Sequence, residues 1–308
     1  MRIVFFGTPS FSAHILDRII REGFDVAAVI SKPDKPKGRN LHLEPTAVKS
    51  YIQEKHPNIP IFQPEKVSDP SFTPILEQFN ADLFVVVAYG EIIKQHILDM
   101  PKRGCINVHT SLLPKYRGAA PIQRAIMAGE SESGVTIMHM VKKMDAGDII
   151  SQVKVPIGEN TSYEDLEISL LKAGSDALID VLKEGSFPHT AQDETLVTFA
   201  TKVELEECEI KWDKTAAEIH NLIRGSNPEP GAWVRVKIKD ETKRLKIFKS
   251  NVVHENGIPG QILAFNKNGI TIACKEKALQ IIELQLEGKK RVPASQWIQG
   301  VRQEFLQF

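Results

Sequence analysis

The first 30 residues alternate between strand and helix patterns, and this alternation restricts the possible fold more than any other feature of the sequence. Residues 3–6 are β-branched and aromatic, apolar positions recur at helical spacing over residues 11–20, and residues 26–30 form a second apolar run. Thr8 suits the N-cap of this helix, and Pro9 suits its first turn. Strands that alternate with helices form parallel sheets, so the chain begins as a parallel α/β fold.

The same alternation continues through the first two thirds of the chain. Apolar runs predict further buried strands at residues 83–88, 105–109 and 135–141, and one helix at residues 122–128. Thr161 and Glu164 are spaced as a capping box, and they precede a long amphipathic helix pattern. We therefore expect residues 1–189 to form one α/β domain with a mainly parallel, doubly wound sheet.

The pattern changes in the last third of the chain. Residues 190–205 have few periodic apolar positions and are predicted to be a linker, and a short helix is predicted at residues 215–224. Five short apolar runs follow, at residues 232–238, 245–252, 261–265, 270–274 and 279–286. Short strands at this spacing indicate a small antiparallel barrel or sandwich, so residues 206–308 are predicted to form a second, β-rich domain.

Charge and cysteine content exclude several classes of protein. The chain has 39 basic and 39 acidic side chains, so no overall charge attracts a nucleic acid or an anionic membrane, and any polyanion must be bound locally. The three cysteines lie far apart without zinc-ligand spacing, which argues against a disulfide framework and a bound metal. The longest apolar run is far shorter than the roughly 18 residues of a membrane helix, and no signal-peptide pattern precedes the first strand. We expect a cytoplasmic protein without membrane contact.

Positive charge is concentrated in the second predicted domain. Residues 206–308 carry 17 basic and 13 acidic side chains. Arg244 and Lys246 alternate with Leu245 and Ile247, so a strand would bury the aliphatic side chains and expose the cations. A solvated strand face and an RNA-binding face both account for this pattern, and the pattern by itself leaves both open.

The most informative polar residues lie at the end of the strand predicted at residues 105–109. Asn107 and His109 are two residues apart, so their side chains point to the same face, and the carboxyl edge of a parallel sheet is where ligands bind. An amide can donate a hydrogen bond to a developing oxyanion, and an imidazole exchanges a proton near neutral pH. The pair suits acyl transfer, with a hydrogen-bonded strand end as the simpler alternative for these two residues alone.

A third polar group lies in the loop after the next predicted strand. Asp145 and Asp148 flank the small residues Ala146 and Gly147, which would let the backbone approach a ligand and bring a carboxylate near His109. That carboxylate could orient the imidazole or accept a proton. No serine or cysteine has a histidine and an acid in a suitable context, so covalent catalysis is not expected.

One long segment and several short ones resemble a known family. Residues 107–124 read NVHTSLLPKYRGAAPIQR, which closely resembles the hallmark of the folate-dependent formyltransferases. Further segments similar to this family occur in the same order, at residues 6–9, 87–90, 134–138, 144–148, 192–195 and 288–290. The resemblance covers nearly the whole chain. It implies a Rossmann-like formyltransferase domain followed by a barrel similar to an OB-fold.

The resemblance also implies an activity. The formyl donor would be 10-formyltetrahydrofolate, and the acceptor would be the α-amine of methionine esterified to initiator tRNA. Asn107, His109 and Asp145 would be the catalytic residues, with the neutral amine attacking the formyl carbon while Asn107 and His109 stabilise the oxyanion. The resemblance implies no metal, and we expect a monomer.

Two sets of residues would bind the substrates, again as the resemblance implies. The folate pocket would be lined by Val87, Ala88, Tyr89, Gly90, Ile92, Thr110, Ser111, Leu112, Leu113 and Pro114. The tRNA would contact Lys32, Lys35, Lys37, Arg39, Arg117, Lys237, Arg244, Lys246, Lys289 and Lys290. For Arg117 three interpretations stay open: contact with the terminal adenosine phosphate of the tRNA, contact with the folate glutamate, or pairing within its own loop.

Two other functions stay open at this point. The same chemistry could act on the amine of an amino-sugar nucleotide, since related domains share residues 112–118, but residues 119–124 and the basic loop at residues 32–40 favour RNA. The chain could also be a non-catalytic RNA-binding protein. The presence of all three catalytic candidates argues against that alternative.

Overall fold

The computed structural model describes residues 1–37, 42–239 and 241–307. The first strands and helices are β1 (Arg2–Gly7), α1 (Ser10–Arg21), β2 (Asp25–Ile30), β3 (Lys35–Lys37), β4 (His42–Glu44), α2 (Ala47–Lys55), β5 (Ile61–Phe62), α3 (Thr73–Glu77), β6 (Leu83–Val87), α4 (Gln95–Leu98), β7 (Cys105–His109), α5 (Pro121–Met127), β8 (Glu132–His139), β9 (Ile149–Pro156) and α6 (Tyr163–Glu184).

The later elements are mostly strands. They are α7 (Ala216–Ser226), β10 (Ala232–Ile238), β11 (Glu241–Val253), β12 (Ile262–Asn266), β13 (Gly269–Ala273), β14 (Ala278–Leu286), β15 (Val292–Pro293), α8 (Ala294–Trp297) and β16 (Leu306–Gln307). Short 3₁₀ turns occur at Glu194–Leu196, Glu206–Cys208, Ile298–Gly300 and Gln303–Phe305.

The chain divides into two compact units, each built from three segments. The first unit comprises Met1–Gly118, Gly134–Val155 and Ile168–Phe199. The second unit comprises Ala119–Ser133, Pro156–Glu167 and Ala200–Phe308. The domain limits expected from the sequence, at residues 189 and 206, stay a prediction.

The first unit is organised by a seven-stranded, mainly parallel sheet, as the alternating pattern predicts. Its strand order is β5-β2-β1-β6-β7-β8-β9. The pairs from β5 to β7 are parallel and the β7–β8 pair is antiparallel. The central strands β1 and β6 are almost fully buried, which accounts for their continuous apolar sequences. Strands β1, β6 and β7 are neighbours, so Gly7, Val87 and His109 end at the same edge of the sheet.

Two helix starts differ from the sequence prediction. Thr8 is not the N-cap of α1: Pro9 holds that position, and the Thr8 hydroxyl donates instead to the Tyr89 carbonyl at 2.8 Å. The capping pair of α6 lies one residue beyond the predicted one, because the Ser162 backbone donates to the Asp165 carboxylate at 3.0 Å and the Asp165 backbone donates to the Ser162 hydroxyl at 3.2 Å. The Thr161 hydroxyl accepts from the Gly158 backbone. In both places the side chain predicted to cap the helix makes a different hydrogen bond.

The second unit contains an antiparallel sheet, as the spacing of short apolar runs predicts. The strand order is β12-β13-β14-β11-β10-β16, with β15 paired to β14. Leu245 and Ile247 of β11 are fully buried in one core with Ile219 and Ile223 of α7, whereas Arg244 is exposed. In the part of the chain that is described, the hydrogen-bonded path runs from β12 to β16, and this antiparallel domain of short strands is the β-rich C-terminal fold that the sequence predicts.

The structure also bears on membranes and metals. No helix formed by the described residues has the length and apolar character needed to cross a membrane. The same residues contain no group of three or more His, Cys, Asp or Glu side chains that could hold a metal ion.

Candidate active site

His109 and Asp145 come together at the carboxyl edge of the first sheet. His109 is the last residue of β7 and is 6% exposed. Its Nδ1 atom lies 3.7 Å from Asp145 Oδ2, in the loop between β8 and β9. This distance is longer than a hydrogen bond, and it lies within the range of an ion pair when the imidazole is protonated. The structure therefore brings together two of the three residues that the sequence singled out.

The protonation of His109 is restricted by its other ring nitrogen. Nε2 lies 3.0 Å from the Tyr116 carbonyl oxygen. A carbonyl can only accept a hydrogen bond, so Nε2 carries the hydrogen and donates it. In the neutral ring Nδ1 is consequently the nitrogen without a hydrogen, and it is the one that faces Asp145.

Asn107 has a position defined by sheet register. Its backbone pairs with Val86 on one side and Met138 on the other, and its side chain is half-buried. Asn107 and His109 lie on the same face of β7 because they are two residues apart. The third predicted catalytic residue therefore belongs to the same edge of the sheet.

Geometry distinguishes the two aspartates of the 144–148 loop. Asp145 faces His109 and also accepts a hydrogen bond from the Gly118 backbone at 2.8 Å through Oδ2. Asp148 pairs instead with His189, at 3.1 Å. Of the two carboxylates left open by the sequence, the one beside the imidazole is Asp145.

Gly147 is required where the loop packs against the end of β8. A Cβ atom on Gly147 would lie 1.8 Å from the carbonyl oxygen of His139, at the end of β8. Only glycine allows the loop to pass this close to the strand. The small residue therefore determines where the loop runs and where Asp145 lies.

The end of β6 is held by side chains from the first loop of the chain. The Thr8 hydroxyl donates to the Tyr89 carbonyl at 2.8 Å, and the Ser12 hydroxyl donates to the Val87 carbonyl at 2.6 Å. The loop after β1 thus supports the neighbouring strand end.

The predicted folate residues at this strand end differ widely in exposure. Val87 and Tyr89 are buried, Ala88 and Gly90 are exposed with positive φ angles of 44° and 85°, and Ile92 is 70% exposed. Burial raises the pKa of the Tyr89 hydroxyl, which has no hydrogen-bond partner among the described residues. The surface available to a ligand here consists of Ala88, Gly90 and Ile92, with the backbone between them.

The loop that follows His109 is fixed by two polar residues that sequence reasoning missed. The Thr136 hydroxyl donates to the Ser111 carbonyl at 2.6 Å and accepts from the Leu113 backbone at 3.1 Å. The Gln152 amide donates to the Leu113 carbonyl at 2.8 Å. Ser111 and Leu113 are buried, and Thr110, Leu112 and Pro114 are half-buried. No local pattern marks Thr136 or Gln152, because both act across 20 or more residues of sequence.

Arg117 pairs inside the protein, which is the third of the interpretations left open for it. Its side chain is 1% exposed, and its Nη2 atom lies 2.8 Å from Gln192 Oε1 and 2.7 Å from Glu194 Oε1. Arg117 and Lys143 lower the pKa of Glu194 to about 2. In this structure the guanidinium is not presented to RNA or folate, because the 192–194 segment encloses it.

The basic residues of the first unit fall into different environments. Lys32 is paired within the protein: its ammonium lies 2.7 Å from the Glu91 carboxylate and also donates to the Glu65 carbonyl. Lys35 is exposed on β3, which pairs with β4 as a hairpin. Lys37 pairs through its backbone with His42 in the same hairpin. Arg39 lies outside the described residues.

The basic residues of the second unit lie mostly on its surface. Lys237, Lys289 and Lys290 are exposed. The guanidinium of Arg244 lies 4.7 Å from the centre of the Trp233 ring, and the Lys246 ammonium donates to the Pro230 carbonyl at 2.7 Å. These last two cations have partners within the protein, so the exposed lysines are the more available for a polyanion.

Two family descriptions and one long alignment match this chain. The family described as "Formyl transferase" matches residues 1–182, and "Formyl transferase, C-terminal domain" matches residues 202–302. The chain is 52% identical over 312 residues to a methionyl-tRNA formyltransferase from Protochlamydia amoebophila (strain UWE25), which covers 100% of this chain and 98% of that protein.

Solved structures share the fold. The sugar 3N-formyl transferase WlaRD, solved in the presence of dTDP and 5-N-formyl-THF, aligns with a TM-score of 0.69 at 24% identity, over 94% of this chain and 99% of that one. A methionyl-tRNA formyltransferase from Clostridium thermocellum aligns with a TM-score of 0.56 at 17% identity, over 82% of this chain and 94% of that one. At these identities the likeness concerns the fold alone.

Proposed function

The chain belongs to the formyl transferase family, and we propose that it transfers the formyl group of 10-formyltetrahydrofolate to the α-amine of methionine on initiator tRNA. The observation that carries the choice of acceptor is the 52% identity, over the whole length of the chain, to a protein named methionyl-tRNA formyltransferase. The contact between His109 and Asp145 supports the chemistry, because formyl transfer needs groups that manage charge and protons at a carbonyl.

The proposed reaction exchanges one carbon–nitrogen bond for another. The neutral α-amine attacks the formyl carbon and forms a tetrahedral intermediate, and the bond from that carbon to N10 of the folate then breaks. The amine loses one proton and the folate nitrogen gains one, so no redox partner or metal is required. The barrier lies in the negative charge on the formyl oxygen and in the movement of this proton.

Each proposed catalytic residue has one task in this scheme. Asn107 donates its side-chain N–H to the formyl oxygen. His109 already donates Nε2–H to the Tyr116 carbonyl, so its Nδ1–H, when present, stabilises the oxyanion. Asp145, with its Oδ2 atom held by the Gly118 backbone, accepts the amine proton directly or through a water and passes it towards the folate nitrogen.

The substrate-binding residues follow from exposure and charge. We propose that the folate contacts the strand end at Ala88, Gly90 and Ile92 and the loop at residues 110–114. For the tRNA, we propose phosphate contacts with the exposed lysines Lys35, Lys237, Lys289 and Lys290. Such contacts release counterions, so affinity for tRNA should fall steeply as salt rises. The proposed acceptor belongs to translation, so we also propose that the protein acts in the cytoplasm, as a monomer.

The deciding experiment is formyl transfer by the purified protein from 10-formyltetrahydrofolate to initiator tRNA charged with methionine. Uncharged tRNA controls for the acceptor amine. Asp145→Asn controls for the chemistry, because it keeps the shape of the side chain and removes its charge. We expect product only from charged tRNA, and about 100-fold or more loss in the variant, the range for a general acid or base.

Two outcomes would contradict the proposal. Transfer to an amino-sugar nucleotide in place of charged tRNA would assign the other acceptor. Binding of tRNA without any transfer from folate would indicate a non-catalytic RNA-binding protein.

A further inference from the structure

Gln192 connects Arg117 to the loop that carries Asp145. Its Nε2 atom donates to two backbone carbonyls of that loop, Asp145 at 2.8 Å and Gly147 at 2.7 Å. Its Oε1 atom accepts from Arg117 Nε at 3.0 Å and Nη2 at 2.8 Å. Both ends of one side-chain amide are therefore occupied, and the contacts span 45 or more residues of sequence.

The orientation of this amide follows from its partners. A guanidinium can only donate hydrogen bonds, and a backbone carbonyl can only accept them. The amide oxygen must therefore face Arg117, and the NH₂ group must face the two carbonyls. Because Arg117 is almost completely buried and also paired with Glu194, it holds Gln192 in one position.

The loop needs such support because Asp145 has an unfavourable backbone conformation. Its φ angle is +50°, in the left-handed region that non-glycine residues seldom adopt. A residue in this region keeps its conformation only when its surroundings hold it there. The two carbonyls bound by Gln192 belong to the 145–146 and 147–148 peptides, so the hydrogen bonds fix the backbone on both sides of the peptide between Ala146 and Gly147.

We propose that Gln192 is a positioning residue for formyl transfer: anchored by Arg117, it holds the 145–147 backbone so that the Asp145 carboxylate faces His109. The expected loss of activity rests on the proposed function, whereas the effect on the loop rests on the geometry alone. The segment at residues 192–195 resembles the family pattern in sequence, and this contact supplies a physical reason for its glutamine.

The test compares two substitutions with a matched control. Gln192→Ala removes both sets of hydrogen bonds. Gln192→Glu keeps an acceptor for Arg117 and places a carboxylate oxygen, which has no hydrogen to donate, against the two carbonyls. Gln53→Glu makes the same chemical change on the exposed face of α2. If the alanine variant does not fold, the isosteric glutamate variant still gives the result.

We expect kcat to fall about 10- to 100-fold in both Gln192 variants, the cost of a misplaced catalytic group, with KM for folate and charged tRNA unchanged. Amide exchange at Ala146 and Gly118, whose N–H groups bond within this site, should be faster in both variants and unchanged in Gln53→Glu. Exchange in β1 and β6 should stay at the wild-type rate.

Three results would overturn the inference. The first is wild-type kcat in both variants, and the second is a raised KM with unchanged kcat. The third is faster exchange throughout the first sheet, which would indicate a general structural role. If the wild-type protein does not formylate charged tRNA, the proposed function fails, and the exchange at Ala146 and Gly118 still decides whether Gln192 holds the loop.

Discussion

Two histidines, one in each unit, are buried to nearly the same extent and have different surroundings. His109 is 6% exposed and His220 is 7% exposed. His220 has both ring nitrogens in hydrogen bonds, Nδ1 with the Ser250 hydroxyl at 2.9 Å and Nε2 with the Glu159 carbonyl at 3.2 Å. His109 has one nitrogen bound to a carbonyl, and the other faces a carboxylate across 3.7 Å.

Burial therefore does not distinguish these two histidines, whereas their hydrogen-bond partners do. The pKa of His220 is lowered by burial and by Arg224, which favours the neutral ring. The nitrogen of His109 that faces Asp145 can interact with a substrate without breaking a hydrogen bond of the fold. The comparison predicts that His109 supports catalysis and His220 supports stability.

The largest expected effect separates the two histidines directly. His109→Ala should lower kcat/KM for formyl transfer about 1,000-fold, within the range for losing a general acid–base group. His220→Ala should leave kcat/KM close to the wild-type value at a temperature where the variant is folded. Initial rates with charged initiator tRNA measure both. Near-normal transfer by His109→Ala would mean that Nδ1 of His109 has no role in the reaction.

The second prediction tests whether His109 needs its carboxylate in place. In Gly147→Ala the new methyl group would meet the His139 carbonyl, so the loop must move and take Asp145 with it. We expect a loss of about 100-fold in kcat, as for a catalytic group displaced by an ångström. Gly300→Ala, where a Cβ meets no atom within 4 Å and φ is not positive, is the control for an uncrowded glycine. Equal activity of the two variants would contradict the prediction.

The third prediction concerns His220. Replacing it with alanine leaves the Ser250 hydroxyl and the Glu159 carbonyl without their partner, which should lower the free energy of unfolding by about 1–3 kcal/mol. All three tryptophans, Trp212, Trp233 and Trp297, belong to the second unit, so tryptophan fluorescence during urea denaturation follows that unit. An unchanged midpoint would show that these hydrogen bonds contribute nothing to stability.

The smallest expected effect is a pH dependence of stability. The folded-state pKa of His220 is below its ordinary value of 6.5, so its contribution to stability is present above that pH and is lost as the pH falls. Between about pH 7 and about pH 5.5, the tryptophan-detected unfolding midpoint should fall in the wild type and fall less in His220→Gln.

His139 supplies the control for this pH effect. Burial and the neighbouring His189 lower the pKa of His139, so it has the same sign of pH dependence, but it belongs to the first unit. His139→Gln should therefore leave the fluorescence-detected shift unchanged. An identical shift in wild type and His220→Gln would remove His220 as its source.

Much of the fold could be predicted from local patterns. The parallel strands, the change to short antiparallel strands and the alternation of Leu245 and Ile247 with cations all depend on residues close in sequence. The sequence predictions were wrong where neighbouring residues could each occupy the same capping position, as at Thr8 before α1 and at the start of α6. There the choice depends on hydrogen-bond geometry that side-chain type alone does not encode.

The site could be predicted only in part, for the same reason. Asn107 and His109 lie two residues apart on one strand, so their common face follows from strand geometry, and Asp145 was placed near them by a loop pattern and the family resemblance. The preference for Asp145 over Asp148, the enclosure of Arg117 and the support from Gln192 involve residues far apart in sequence. None of these contacts leaves a periodic signal.

The sequence by itself determined which segments become strands and helices and which residue types reach the carboxyl edge of the first sheet, because periodicity and strand alternation are local properties of the chain. Only the tertiary structure decided that His109 keeps one nitrogen beside Asp145 while His220 has both nitrogens bonded. The physical reason is that hydrogen-bond partners such as Tyr116, Glu159 and Ser250 are brought to these rings by loops and packing, and their geometry exists only once the chain has folded.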